Sequence, residues 1–238
     1  MAYLGYSGDG HLGPWNLTAS LYAALGHDER NPLAGQPQSI RAGFAAAELS
    51  RDFSWVRLRT SVLVQSADKD PFDGRATGFD AVLENPQFAG AETSFWIRQA
   101  VPLVGGGGVA LSGRNGVLAS LRSSKDQGQS NFVNPGLILA GLGADADVLP
   151  ELRLIGNLTY LRFLNTAVLG VLRNQAPPAR DIGWDVSGAL QWRPFMTQNL
   201  VVNASAAALL PGKGLKQLYD EDKQGPQYSV LVNVIATF

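Results

Sequence analysis

Apolar and polar residues alternate along most of this chain, in segments of about ten to twelve residues separated by turn residues. In "WNLTASLYAALG" one set is Trp15, Leu17, Ala19, Leu21, Ala23 and Leu25, and the interleaved set is Asn16, Thr18, Ser20, Tyr22, Ala24 and Gly26. "SIRAGFAAAE" sets Ile40, Ala42, Phe44 and Ala46 against Arg41, Gly43, Ala45 and Ala47, and "VRLRTSVLVQ" sets Val56, Leu58, Thr60, Val62 and Val64 against Arg57, Arg59, Ser61, Leu63 and Gln65. Read this way, Arg41, Arg57 and Arg59 share one polar face. The pattern returns in "NPGLILAGLGADADV", in "IGWDVSGALQWR", where Ile182, Trp184, Val186, Gly188, Leu190 and Trp192 oppose Gly183, Asp185, Ser187, Ala189, Gln191 and Arg193, and in the terminal "YSVLVNVIATF". "LRLIGNLTYL" and "LVVNASAAALL" repeat it more weakly. Helical periodicity is nearly absent, so the prediction is an all-β, antiparallel fold of about nine strands, each of the roughly 9 to 11 residues that a tilted strand needs to cross a bilayer.

The connections alternate in length. "SGDGHLG", "SRDFS", "LPE" and "PFMTQN" are short, whereas "HDERNPLAGQPQ", residues 67–131, "LNTAVLGVLRNQAPPARD" and "PGKGLKQLYDEDKQGP" are long. Short turns on one side and long loops on the other are the habit of transmembrane β-barrels of bacterial outer membranes. The first strand is then the six residues "MAYLGY", a fragment, and the strand number is odd where single-chain bacterial barrels have even numbers. Residues 1–238 are therefore expected to be one β-barrel domain, the C-terminal part of a larger barrel whose signal sequence lies elsewhere.

Composition separates lipid from water as the solvent of the apolar face. Only 16% of residues are charged, against roughly 25% in an ordinary soluble protein. The polar face is rich in Gly, Ala, Ser and Asn with occasional Arg and Asp, which suits a wet, narrow lumen better than a soluble surface. Aromatic residues fall at both ends of the apolar faces: Trp15, Trp192 and Phe238 at one, Tyr160, Trp184 and Tyr228 at the other, as in the two girdles of a membrane barrel. Eight residues from Trp184 to Trp192 span roughly 26 Å of strand, or about 20 Å of height at a tilt near 40°. A net charge of -1 excludes the basic excess of nucleic-acid binding, and the absence of Cys excludes disulfide scaffolds and thiolate metal sites.

Three groups of residues carry candidate chemistry. Arg41, Arg57 and Arg59, with Arg153 and Arg193, would set a lumen potential attractive to anions; alternatively they pair with Asp145, Asp147 and Asp185 and simply fill the interior. Residues 67–131 are too long for an idle connection, and either fold into the pore, with "SFWIRQAVPL" as an internal strand or helix and Arg98, Arg122 and Lys125 as a constriction, or form a surface loop. "DKDPFDG" matches a calcium loop only in part, since Phe72 stands at the third acidic position, leaving Asp68, Asp70 and Asp73 as candidate ligands. Asp220, Glu221 and Asp222 are expected to form a solvated external charge run or a contact for divalent ions at the cell surface. His11 and His27 are the only histidines and are expected on opposite sides, which removes His-based triads and two-His metal sites. "GGGG" at 105–108 and "PGKG" at 211–214 lack the context of phosphate loops. No catalytic residues and no cofactor are expected.

"ENPQFAG" (84–90), "SLRSSKDQGQSNFVNPG" (120–136), "WRPF" (192–195) and "LLPGKG" (209–214) resemble a porin-like group of Gram-negative outer-membrane proteins allied to alginate-export channels. The resemblance covers most of residues 40–215, lies in loop segments and implies an outer-membrane channel without naming a solute. The terminal aromatic after alternate apolar residues is similar to the assembly signal of such proteins, implying outer-membrane lipid and the barrel-assembly machinery as partners, beside a small polar solute. Two other readings predict different behaviour: a sleeve barrel holding a partner protein conducts no ions until that partner is removed, and a soluble β-sandwich binding module stays in the aqueous phase without detergent.

Overall fold

A computed structural model of the chain describes residues 1–31, 33–81, 88–104, 109–113, 116–118, 130–194 and 199–237. Nine long strands follow one another in chain order, each antiparallel to the next: β1 (Ala2–Leu12), β2 (Trp15–Asp28), β3 (Gln38–Phe53), β4 (Val56–Gln65), β8 (Leu137–Leu149), β9 (Leu152–Phe163), β10 (Asp181–Trp192), β11 (Leu200–Pro211) and β12 (Gln227–Ala236). Between β4 and β8 lie the two-residue β5 (Arg75–Ala76), which pairs with β3, the helix α1 (Phe95–Arg98), and a small hairpin of β6 (Val101–Pro102) and β7 (Ala110–Ser112). Short helices α2 (Ala167–Arg173) and α3 (Lys213–Lys216) stand in the other long connections. The sheet is all-β and antiparallel as the alternation predicts, and among the described residues no pairing joins β1 to β12.

Long and short connections fall on opposite edges, called here upper and lower. The first strand is longer than expected. β1 runs eleven residues to Leu12, in full register with β2, because the Gly and Ser positions of "SGDGHL" keep the alternation and the chain turns only at Gly13, in the left-handed region at φ 60°. The β3–β4 turn is equally tight, with "SRDF" drawn into β3 and Ser54 at φ 55°.

The two faces of the sheet have different fates. One is covered, in its upper half, by the described residues of the 67–131 region. Leu63, Leu137, Leu139, Leu161, Phe163 and Leu209 from the strands and Phe95, Trp96, Ile97, Val101, Leu103, Leu111 and Leu118 from the inserted segment form one buried cluster. A second cluster joins Ala24, Ile40 and Ala42 to Ala76, Phe79, Phe132 and Val133, with Tyr3 packed against it. The other face is bare and apolar: Leu4, Leu21, Leu25, Leu58, Val62, Leu142, Leu158, Val186, Leu190, Val230 and Val232 are all exposed. Soluble proteins rarely leave an apolar surface of this extent in water.

Two register findings correct the sequence reading. In β3 the phase is inverted: Ile40 and Ala42 are buried under the insert, and Arg41, paired with Leu25, projects from the bare face. Apolar residues served both faces there, since the insert needs an apolar wall, so alternation alone could not say which face was the bare one. In β10 a bulge between Asp181 and Gly183 turns Ile182 from the bare face into the buried cluster. Gly183 permits it with φ 130°, where a β-carbon would stand 2.0 Å from the Leu210 carbonyl oxygen.

Candidate functional site

The lower half of the covered face carries a row of ion pairs. Arg57 Nε and Nη2 donate to the two carboxylate oxygens of Asp52 at 2.6 and 3.0 Å across the β3–β4 turn. Arg153 repeats the arrangement with Asp147 across the β8–β9 turn, at 2.7 and 2.8 Å. Both pairs follow from register: Asp52 faces Arg57 and Asp147 faces Arg153 as direct cross-strand neighbours. They enclose, with Ser54, Trp55, Val56 and Asp145, a cavity of about 280 Å³. Arg193 adds a bond from Nη2 to Gln191 Oε1 at 2.7 Å.

Deeper in the wall stands Arg59, whose Nη2 donates to Asp145 Oδ1 at 2.8 Å and to Asn157 Oδ1 at 3.0 Å, with Glu48 4.0 Å away. The glycine at 143 makes room for it, because a β-carbon there would lie 2.9 Å from the guanidinium carbon. Asn157 Nδ2 in turn donates to Thr93 Oγ1 at 2.9 Å, and Thr93 and Ser187 hydroxyls meet at 2.7 Å. Arg59 and Asp145 are thus tied to the inserted segment by a hydrogen-bonded chain through Asn157 and Thr93.

Two carboxylates clamp that segment directly. Asp185, 1% exposed, accepts from Ser94 Oγ at 2.6 Å, Trp96 N–H at 2.7 Å and Phe95 N–H at 3.2 Å, holding the first turn of α1. Ser94 Oγ also caps the helix by accepting from Ile97 N–H at 3.1 Å. Glu48 Oε2 accepts from Ser61 Oγ at 2.6 Å and from Ala89 N–H at 2.8 Å. Tyr219, from the loop before β12, donates to the Pro102 carbonyl at 2.8 Å, and burial pushes its phenol up from the ordinary value.

Of the arginines and carboxylates singled out in the sequence, the structure brings Arg57, Arg59, Asp145, Asp147, Arg153 and Arg193 to the covered face, and places Asp185 there beneath α1 with no guanidinium partner among the described residues. Arg41 does not join them. Arg98 ends α1 and donates to the Glu92 carbonyl; Arg122 and Lys125 lie outside the described residues, as does Phe238. Trp15 and Trp192 stand on the bare face at its lower edge, and Tyr160, Trp184 and Tyr228 at its upper edge, with the Tyr160 and Trp184 rings 5.1 Å apart. The calcium pattern fails: Asp68, Asp70 and Asp73 each spend an oxygen on a backbone N–H two residues on, and no metal-holding group of carboxylates forms among the described residues. Burial instead pushes the Asp68 carboxyl up to about 6.

Glu48, Asp52, Ser94 and Asn157 were missed by sequence reasoning. Asp52 was legible, since an Asp and an Arg flanking a tight turn at mirror positions become cross-strand neighbours, and Glu48 lies in phase with it. Ser94 and Asn157 gave no signal, because their roles depend on where the insert docks. No family model matches this chain, and no curated protein does.

Proposed function

We propose that the chain forms part of a transmembrane antiparallel β-barrel in a bacterial outer membrane and acts as a passive channel for a polar solute. One observation carries the reading. On the bare face of the nine strands, the described Asp, Glu, Lys and Arg residues are Arg41, Arg51, Arg162 and its cross-strand neighbour Asp181, all close to strand ends, while the middle band is mostly Leu, Val, Ala and Gly, with Thr60 polar but uncharged. That is the depth profile lipid imposes, since charge is costly at the bilayer centre and tolerated at the interface. Arg51 fits the interface, its guanidinium resting 5.3 Å from the Trp15 ring and 4.8 Å from the Phe53 ring.

The lower half of the covered face, polar and charge-paired, suits a water-filled vestibule, and the inserted segment narrows the upper half. That the chain's own segment takes this space favours a channel over a sleeve for a partner protein. The pairing of Arg57, Arg59 and Arg153 with carboxylates removes the excess positive charge that an anion-attracting lumen would need. The test is reconstitution of the complete protein from detergent into planar bilayers, beside electrophoresis with and without boiling. Stepwise conductance and a heat-shifted band are expected; full solubility without detergent and a silent bilayer would overturn the reading.

A further inference from the structure

The cavity between the two tight turns is built unlike an anion site. Its charged lining residues are Asp52, Asp145, Asp147, Arg57 and Arg153, and Arg59 sits behind Asp145 on its own 2.8 Å bond, so three carboxylates meet three guanidiniums and the charges cancel. Each lining arginine is locked by a two-point bond through Nε and Nη2, which fixes its plane and leaves the Nη1 edge as donor. The carboxylates keep spare lone pairs. The surface offered to a ligand is therefore a rigid alternation of acceptor, donor, acceptor and donor with no net charge.

An anion entering there must either displace a bidentate carboxylate or sit beside it, and a cation meets the guanidiniums in the same way. A hydroxyl group, which donates and accepts at once, bridges a carboxylate oxygen and a guanidinium edge without breaking either pair. About 280 Å³ lies near the lower limit of small-molecule sites, roughly 300 Å³, enough for part of an oligosaccharide whose remainder stays in solvent and too little for a folded peptide. We infer that this turn-edge cavity is a recognition site for a net-neutral, hydroxyl-rich solute of the saccharide class. The inference rests on the channel reading for its role, as the vestibule subsite of that solute, while the binding chemistry stands on the cavity alone.

The experiment is calorimetric titration of the complete detergent-solubilised protein with maltotriose, citrate and glycine betaine, on wild type and on the double variant Asp52→Asn with Asp147→Asn. Both carboxylates are about half exposed in their ion pairs, so the variant is expected to retain the wild-type heat-shifted band, which is checked first. Wild type should bind maltotriose and neither of the others. The variant, its arginines unmasked, should lose about tenfold in maltotriose affinity, the equivalent of one charged hydrogen bond, and should show citrate heat that wild type lacks. Citrate or betaine binding tighter than maltotriose in wild type, no maltotriose heat, or a variant indistinguishable from wild type would each overturn the inference. A protein that binds maltotriose but gives no bilayer conductance keeps the site and sinks the channel; one that conducts without binding does the reverse. Should the variant lose its heat shift, Arg153→Lys, which keeps the charge and removes the planar fork, replaces it, and an unchanged maltotriose affinity then overturns the site.

Discussion

The covered face of this sheet is two surfaces on one set of strands. In its upper half Leu63, Leu137, Leu139, Leu161, Phe163 and Leu209 are sealed under an inserted segment; in its lower half Asp52, Arg57, Asp147 and Arg153 are paired but remain 38 to 53% exposed at their side chains. The same backbone, pleat and alternation produce both, so the difference is made by what docks on the wall. Burial makes the upper half a matter of stability, whereas solvent leaves the lower half free to be a matter of recognition. Ion pairs in water contribute little, and unpaired groups in a core cost much.

The largest effect should come where the two meet, at Asp185. Asp185→Ala leaves Ser94 Oγ, Phe95 N–H and Trp96 N–H without their acceptor. At roughly 1 to 3 kcal/mol per buried donor, offset by relief from burying a carboxylate, the loss should be about 3 to 5 kcal/mol. Thermal release of the heat-shifted band would read it, and the freed segment should raise single-channel conductance. Asp185→Asn, which keeps one acceptor, should recover part of the loss; a wild-type melting profile for Asp185→Ala would mean that the apolar cluster alone holds the insert.

On the bare face, Val186→Arg should cost about 2 to 4 kcal/mol when the protein folds into lipid. Val186 sits between Leu158 and Ala208 on neighbouring strands, 40% exposed, so in water the same change should be nearly silent. Equal folding in vesicles and in detergent-free buffer would place this face in water and break the contrast between bare and covered surfaces.

The upper loop should be pH-sensitive in one direction. Asp68 is 2% exposed with Oδ2 unpartnered among the described residues, and its carboxyl rises from 3.8 to about 6. A raised folded value means that the folded state holds the proton more tightly, so this contribution is full below about pH 4 and is lost as pH rises through about 6, amounting to about 2 to 3 kcal/mol. Amide exchange over residues 66–80 should quicken across that window, and Asp68→Asn should abolish the dependence.

Gly143→Ala comes next, at about 1 to 3 kcal/mol, because the added methyl meets the Arg59 guanidinium and Asn157. If Arg59→Met in the same background restores stability, the clash is located at Arg59; no rescue would place the strain in the backbone instead.

How far this was legible in sequence follows the same division. Period-two alternation identified the strands and, in β4, β8 and most of β10, the correct face, because there the bare face was apolar apart from Thr60 and the other carried Arg, Asp or Ser. It failed in β3, where Ile40, Ala42 and Phe44 belong to the face under the apolar insert rather than to the bare face, and at Ile182, where a glycine bulge resets the phase. Arg57 and Asp147 were readable since short turns fix cross-strand neighbours. The grip of Asp185 and Glu48 on residues 89–96 depends on a docking some ninety residues away in sequence for Asp185, which no local pattern encodes.

The smallest effect belongs to the lower row, and its smallness is the point. Arg153→Ala removes a two-point bond to Asp147, yet the pair is exposed, each partner already solvated, so stability should fall by less than about 1 kcal/mol. Chemical denaturation and thermal release of the band should scarcely move. What should change is the cavity: Asp147, unmasked beside Asp145 and Asp52, gives it a net negative charge and should shift reversal potential in a salt gradient toward cation preference. A shift in selectivity without a shift in stability is what separates a recognition surface from a structural one. If instead Arg153→Ala destabilised the protein as much as Asp185→Ala, the lower half would be core like the upper, and the division of the wall into a sealed half and a working half would be wrong.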